Sequence, residues 1–128
     1  MIGRSSAAPA GNTVLIVDDD PAVCSALQFC LEVEGFAVKT YGSSAEVLSD
    51  EHIPKQGCLV IDYRLPNLNG LDLLARLRQR EIMLPAILVT SHPSDAVRRQ
   101  ISAAGAVLIE KPLLTEALLE CIRSILSG

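Results

Sequence analysis

Five short apolar segments recur along the chain, with polar, helix-like stretches between them. They are residues 14–17, 36–41, 58–61, 86–89 and 106–109. Continuous runs rich in Val, Ile and Leu are typical of strands that are buried on both faces of a parallel sheet. The pattern therefore predicts five strands, each followed by a helix.

The stretches between and after the strands show apolar residues at helical spacing and recognisable start signals. Asp20-Pro21 suits an N-cap and a first helical turn, and Ser43 to Glu46 forms a capping box. Asp72 and Arg76 are spaced for an ion pair on the outside of the third helix. The residues expected to face inward are Val23, Leu27, Cys30 and Leu31 in the first helix, Leu71, Leu74 and Leu77 in the third, Val97, Ile101 and Ala104 in the fourth, and Leu118, Ile122, Ile125 and Leu126 in the fifth.

Strands that alternate with helices of this length indicate right-handed βαβ units in an α/β fold. We expect a doubly wound, five-stranded parallel sheet with helices on both faces. A length of 128 residues suits one domain. Residues 1–11 are rich in Ser, Ala, Pro and Gly and are predicted to be a disordered leader, which leaves residues 12–127 as the folded domain.

Charge and composition limit the kinds of partner and the cellular location that we expect. A net charge of -4 argues against direct DNA binding, which needs a basic surface. No apolar stretch approaches the ~20 residues that span a bilayer, and the first residues lack the apolar core of a secretory signal. The four cysteines have no metal-binding spacing, so we interpret them as small buried residues of a protein in the reducing cytoplasm.

Reactive side chains follow four of the predicted strands. Asp18 and Asp19 follow the first, Asp62 the third and Thr90 the fourth, while Lys111 comes shortly after the fifth. In an open α/β sheet the ligand crevice lies at the carboxyl ends of the strands, so these side chains are expected to share one pocket. Clustered carboxylates require a cation, and Mg²⁺ (or Mn²⁺) prefers oxygen ligands together with phosphate.

The chemistry of the set suggests phosphoryl transfer. Asp62 stands alone at its strand end and is the better nucleophile, whereas the paired Asp18 and Asp19 are the better metal ligands. An attack by the Asp62 carboxylate on phosphorus would give an aspartyl phosphate. Lys111 can neutralise a phosphoryl oxygen, and the Thr90 hydroxyl can donate a hydrogen bond to the same group.

At these residues the chain resembles the receiver domain of two-component response regulators. The shared motifs are VDDD at 17–20, IDYRLP at 61–66 followed by Gly70, VTS at 89–91 and EKP at 110–112. One such motif is weak, but four in order at strand ends are specific. The resemblance covers roughly residues 12–127.

The resemblance implies a role for each site residue. Asp62 would be the phosphate acceptor, Thr90 the switch hydroxyl, and Lys111 the lysine that contacts the phosphate and precedes a cis Pro112. Asp19 would be the main carboxylate ligand of the metal, and the backbone carbonyl of Arg64 would be a further ligand. Asp18 would act through a metal-bound water. It also implies a flavodoxin-like strand order of 2-1-3-4-5.

Partners follow from the same resemblance. A histidine kinase or phosphotransfer protein would supply the phosphoryl group. A downstream protein would bind the face formed by residues 94–127, and we expect a stand-alone receiver rather than an enzyme with an outside substrate.

Two positions depart from the receiver pattern. Leu108 stands where receivers usually carry Tyr or Phe, so the usual aromatic reporter of phosphorylation is missing. Pro93 follows His92 just after Thr90, and a proline steers the residue before it away from the right-handed helix, which should stiffen this loop.

Two other functions use similar parts. A metal-dependent phosphohydrolase of the haloacid-dehalogenase type would start with Asp18-x-Asp20, but the Thr that should follow is absent and no cap insertion is visible. In a flavodoxin-like flavin binder, three aspartates in the first loop would repel the flavin phosphate. We interpret Asp20 as a helix cap rather than a ligand, and the Arg64 side chain either as a screen against attacking water or as a plain surface group.

Overall fold

The computed structural model describes residues 12–113 and 115–127, in which five strands and five helices alternate. The elements are β1 (Thr13–Val17), α1 (Pro21–Val33), β2 (Ala37–Tyr41), α2 (Ser44–Ser49), β3 (Cys58–Asp62), α3 (Gly70–Gln79), β4 (Ala86–Thr90), α4 (Asp95–Ala103), β5 (Val107–Glu110) and α5 (Thr115–Ser127). The predicted leader, residues 1–11, lies outside the described residues.

All five strands are parallel, and their order is β2-β1-β3-β4-β5, which confirms the predicted fold and strand order. The register keeps the carboxyl ends of the strands level. Val17 pairs with Tyr41 on one side and with Ile61 on the other, and Asp62 pairs with Val89. Residues that leave β1, β3, β4 and β5 therefore emerge at one edge of the sheet.

The two faces of the sheet carry separate hydrophobic clusters, as expected for a doubly wound fold. Leu15, Leu59 and Leu88 point to the face covered by α2, α3 and α4. Alternate residues such as Ile16 and Val60 point to the face covered by α1 and α5. Since a buried Leu or Ile contributes about 1.5–3 kcal/mol, these clusters dominate the stability of the domain.

Helices α1 to α4 begin at capped residues beside the carboxyl edge of the sheet. The Asp20 carboxylate accepts from the amide of Ala22 at 2.9 Å, which confirms the predicted cap of α1. Half of the predicted capping box of α2 is confirmed, because Ser43 Oγ accepts from the amide of Glu46 at 3.1 Å. The other half differs, since the Glu46 carboxylate accepts from the amide of Gly42 rather than from that of Ser43. The longest helices, α1 and α5, have 13 residues each, and no helix among the described residues is long and apolar enough to cross a bilayer.

Several local predictions need correction. β2 begins at Ala37, although Phe36 before it is buried as expected. β5 comprises residues 107–110 rather than 106–109, and as an edge strand it leaves Val107 41% exposed instead of buried. Ala104 is exposed because α4 ends at Ala103. The ion pair predicted between residues 72 and 76 does not form, in keeping with the small gain from exposed pairs.

Gly70 permits the loop between β3 and α3 to pass close behind Asp62. A Cβ atom at Gly70 would lie 2.8 Å from the carbonyl oxygen of Asp62 and 2.7 Å from Leu88 Cδ1. We predict that Gly70→Ala lowers the free energy of unfolding by about 1–3 kcal/mol, because backbone must move to relieve the overlap. Urea unfolding measures this, with Gly42→Ala as control, since its Cβ would meet only the end of the exposed Glu46 side chain. Equal stability of the two variants would contradict the prediction.

Candidate functional site

Three carboxylates converge at the carboxyl edge of the sheet. Asp18 and Asp19 follow β1 and Asp62 ends β3, and each contributes a carboxylate oxygen to a group whose members lie within 4.8 Å of one another. Asp18 and Asp62 are buried, at 8% and 7% exposure, whereas Asp19 is exposed. The cluster thus has two members in the wall of the site and one at its rim.

Asp18 is held by its backbone and by its side chain. Its amide donates to the carbonyl of Tyr41 at 3.1 Å, and its Oδ1 accepts from the amide of Asp20 at 2.9 Å. Burial raises the pKa of Asp18, and the neighbouring charges of Asp62 and Asp19 raise it further, against the lowering effects of the Asp20 amide and of Lys111. A cation bound here would oppose this rise in pKa, because its positive charge favours the ionised carboxylate.

Asp62 faces one positive charge. Lys111 Nζ lies 3.4 Å from Asp62 Oδ2, while Asp62 Oδ1 accepts from the amide of Arg64 at 3.1 Å. The Lys111 side chain is 39% exposed, so its ammonium group has room to move. Three carboxylates and one ammonium leave the group at a charge of about -2 when all are ionised.

Thr90 and Lys111 are joined through the backbone. Thr90 ends β4 at 2% exposure, and its carbonyl accepts from the amide of Lys111 at 2.9 Å. The peptide bond between Lys111 and Pro112 is cis, as predicted. The fold therefore gathers Asp18, Asp19, Asp62, Thr90 and Lys111 at one edge of the sheet, as the motif positions predicted.

The loop after Thr90 has an unusual backbone. His92 has φ = 46°, in the left-handed region, where residues other than glycine are uncommon. This conformation agrees with the expectation that Pro93 keeps His92 out of the right-handed helix. Arg64 is exposed, and the role of its carbonyl as a metal ligand stays a prediction.

Cys24 contributes a contact that sequence reasoning missed. The cysteine is buried in α1, as expected, but its thiol also donates to the carbonyl of Asp18 at 3.3 Å. Burial raises the pKa of Cys24, and the charges of Asp18 and Asp20 raise it further, so the thiol remains a protonated donor at neutral pH. The available signal was its place in the first turns of the helix that follows the acidic loop.

A polar network around Asp50 was also missed. The Asp50 carboxylate accepts from Lys39 Nζ at 2.6 Å and from the Tyr41 hydroxyl at 2.5 Å, and these bonds hold its pKa well below the ordinary range. The network fixes the end of β2, whose Tyr41 carbonyl receives the amide of Asp18. No local spacing in the sequence predicts this network, because Lys39 and Tyr41 lie in β2 and Asp50 follows α2.

An apolar cavity of about 230 Å³ adjoins the acidic cluster. Its walls include Val23 and Leu27 of α1 and Leu113 after the cis peptide, and Asp62 and Lys111 form part of its polar side. The helical spacing of Val23 and Leu27 predicts the inner face of α1 correctly, but nothing in the sequence indicates an opening beside the site. Asp18 and Asp62 therefore border an apolar cavity as well as the rest of the acidic cluster.

Comparison with known proteins gives a consistent result. Residues 14–123 match the family described as response regulator receiver domain. The transcriptional regulatory protein FixJ of Rhizobium meliloti (strain 1021) is 38% identical over 111 residues, which are 86% of this chain and 54% of that protein. The response regulator protein TodT of Pseudomonas putida is 33% identical over 116 residues, 90% of this chain and 51% of that protein. The chain thus spans about half the length of these two relatives.

Solved structures agree with this assignment. The crystal structure of FixJ-N has a TM-score of 0.81 at 35% identity and covers 91% of this chain and 94% of its own. A CheY-like response regulator receiver domain protein from Methanospirillum hungatei JF-1 has a TM-score of 0.81 at 30% identity, with coverages of 90% and 93%. Fold, motif positions and matched length together show that this chain belongs to the response regulator receiver domain family of two-component signal transduction systems.

Proposed function

We propose that this domain accepts a phosphoryl group on Asp62, from a histidine kinase or phosphotransfer protein, in the presence of Mg²⁺. The observation that carries the proposal is the surroundings of Asp62, which has two further carboxylates within 4.8 Å and an ammonium group at 3.4 Å. This arrangement suits a negatively charged nucleophile that attacks a negatively charged phosphoryl group, because the carboxylates can hold a cation and the ammonium group supplies a further positive charge. Membership of the receiver family supports the same role.

The donor set fits Mg²⁺. Oxygens bound to one Mg²⁺ at 2.0–2.1 Å can be at most ~4.2 Å apart, so oxygens within 4.8 Å need only small movements. We assign Asp19, Asp62 and the carbonyl of Arg64 as direct ligands and Asp18 as an outer carboxylate, with Mn²⁺ as an acceptable substitute. The bound cation would neutralise the carboxylates and the phosphoryl oxygens that approach them.

In the transfer step, an Asp62 carboxylate oxygen attacks the phosphorus of the donor phosphohistidine. The P–N bond breaks, its electron pair stays on the imidazole nitrogen, and an aspartyl phosphate forms on Asp62. The ammonium group of Lys111 then moves from the Asp62 carboxylate to a phosphoryl oxygen. Its partly exposed, flexible side chain permits this movement. The Thr90 hydroxyl donates a hydrogen bond to another phosphoryl oxygen.

The signal would leave through the face formed by residues 94–127, where a downstream protein binds. Thr90 leads into the loop before α4, and Thr90 is the strand partner of Glu110 in β5. Arg98 of α4 in turn contacts Glu110 at 2.8 Å. A change in the position of Thr90 on phosphorylation would therefore reach both α4 and β5. These two elements together would change between two conformations, and phosphorylation would favour one of them.

The phosphohydrolase alternative has no support from the relatives reported above, because FixJ is a transcriptional regulatory protein and TodT a response regulator protein. Asp20, which that reading would use in catalysis, has its Oδ1 occupied by the amides of Ala22 and Val23 at the start of α1. The receiver function is therefore the one that we retain.

Phosphorylation should depend on Asp62 and on a divalent cation. We predict that the wild-type protein gains one phosphoryl group from acetyl phosphate with Mg²⁺, and none after chelation with EDTA. Asp62→Asn removes the nucleophile and should abolish labelling, whereas Asp72→Asn, at an exposed carboxylate of α3, should leave it unchanged. Intact-mass spectrometry measures all four samples. Full labelling of Asp62→Asn would refute the assignment of the acceptor.

The adjacent aspartates should differ in their effect on the metal. We predict that Asp19→Asn weakens Mg²⁺ binding by about 10-fold or more, since it replaces a charged carboxylate ligand by a neutral amide. Asp20→Asn should have little effect, because an amide oxygen can still cap α1. Calorimetric titration with Mg²⁺ compares the two variants. Equal losses would show that the ligand roles in the acidic loop are misassigned.

Leu108 should limit the conformational response. Leu108 packs, partly buried, against the core cluster that contains Leu88 and Ile101, and it has no ring to exchange between two positions. We predict that beryllofluoride, as a phosphoryl mimic, changes NMR chemical shifts only in the pocket loops and in residues 94–111. Leu108→Tyr should extend the changes further into the 94–127 face. A wild-type response that reaches α1 or α2 would contradict this prediction.

A further inference from the structure

We infer that Cys24 is a positioning residue for Asp19: its thiol fixes the peptide plane between Asp18 and Asp19 and so aims the Asp19 carboxylate into the metal site. The inference rests on the proposed function to the extent that Asp19 acts as a Mg²⁺ ligand. It assigns this cysteine a role that its buried position alone does not suggest.

Asp19 is the member of the acidic cluster whose side chain is least held. It is exposed, and among the hydrogen bonds of the described residues none involves its carboxylate. Asp18 and Asp62, in contrast, are buried and each accepts from a backbone amide. The direction of the Asp19 side chain therefore depends mainly on the backbone that carries it.

That backbone is set by one planar peptide unit. The carbonyl of Asp18 and the amide nitrogen of Asp19 belong to the same rigid plane, so a bond to the carbonyl orients both residues. The carbonyl lies outside the regular ladders, because β1 ends at Val17 and the first bond of α1 runs from the amide of Cys24 to the carbonyl of Asp20. Among the described residues, the Cys24 thiol, at 3.3 Å, is the donor to the Asp18 carbonyl.

Cys24 is itself anchored well enough to serve this purpose. Its side chain is 8% exposed and packs in the cluster that contains Leu27 and Leu31 on the inner side of α1. Its amide is bonded to the carbonyl of Asp20, whose carboxylate caps the same helix. The start of α1, the thiol and the acidic loop therefore form one connected unit.

The test compares Mg²⁺ affinities, measured by calorimetric titration of the full chain, for Cys24→Ala and Cys24→Ser. Cys24→Ala removes the donor and should weaken binding about 10-fold, as expected for a hydrogen bond that orients a ligand. Cys24→Ser keeps a donor and should bind like the wild type. In an Asp19→Asn background, Cys24→Ala should cause no further loss, because the charged carboxylate that it orients has already been replaced by a neutral amide.

Cys58 provides a matched control. It is also a buried cysteine whose thiol lies near a carbonyl, that of Leu59 at 3.6 Å, but it sits at the opposite end of β3 from Asp62. Cys58→Ala should lower the melting temperature without changing Mg²⁺ affinity. If Cys24→Ala does not fold, Cys24→Val, which fills the space without a donor, takes its place.

The outcomes separate this inference from the proposed function. Wild-type affinity in Cys24→Ala, together with a loss in Asp19→Asn, would overturn the role of Cys24 and leave the metal site intact. An equal loss in Cys24→Ser and Cys24→Ala, or a comparable loss in Cys58→Ala, would attribute the effect to packing and also overturn that role. Unchanged affinity in Asp19→Asn would refute the proposed metal site itself.

Discussion

Repulsion among three carboxylates held within 4.8 Å of one another is the interaction around which the rest of this domain is arranged. Burial and like charges raise the pKa of Asp18 and so oppose its ionisation. The hydrophobic clusters on the two faces of the sheet must offset that cost whenever no cation is bound. In the proposed function, the same repulsion favours the binding of a cation, and the bound cation can then hold a phosphoryl group.

The site divides into fixed and adjustable parts. Asp18, Asp62 and Thr90 are buried at strand ends, where the level register of the sheet sets their positions. Asp19 and Lys111 lie closer to solvent, and their side chains can reach toward an incoming group. A rigid acceptor with adjustable charges around it suits a reaction in which the donor arrives on another protein, since small errors of docking can be absorbed at the rim.

Most of the fold could be predicted because it depends on local apolar runs, helix caps and the rule that parallel strands share a carboxyl edge. The grouping of Asp62 with Lys111 followed from the same rule. What could not be predicted depends on which side chains meet across the fold, such as Lys39 with Asp50 or Cys24 with the carbonyl of Asp18. The burial of β5 was predicted wrongly because β5 is an edge strand. An apolar run has the same sequence whether one neighbouring strand pairs with it or two do.

The contacts around the acidic loop also make the two sides of the site unequal. On the side of α1 and β2, Asp18 is bonded to Tyr41, and the Tyr41 hydroxyl is bonded to Asp50, which also pairs with Lys39. On the side of α4 and β5, which also share the backbone bonds of the sheet, the side chains of Arg98 and Glu110 form an ion pair and are 45% and 49% exposed. Exposed pairs of this kind contribute only about 0–1 kcal/mol. A change at the phosphate would therefore move α4 and β5 more readily than α1 and β2. This asymmetry supports the assignment of the 94–127 face as the output surface, and it follows from how each side is bonded rather than from the presence of an aromatic residue at position 108.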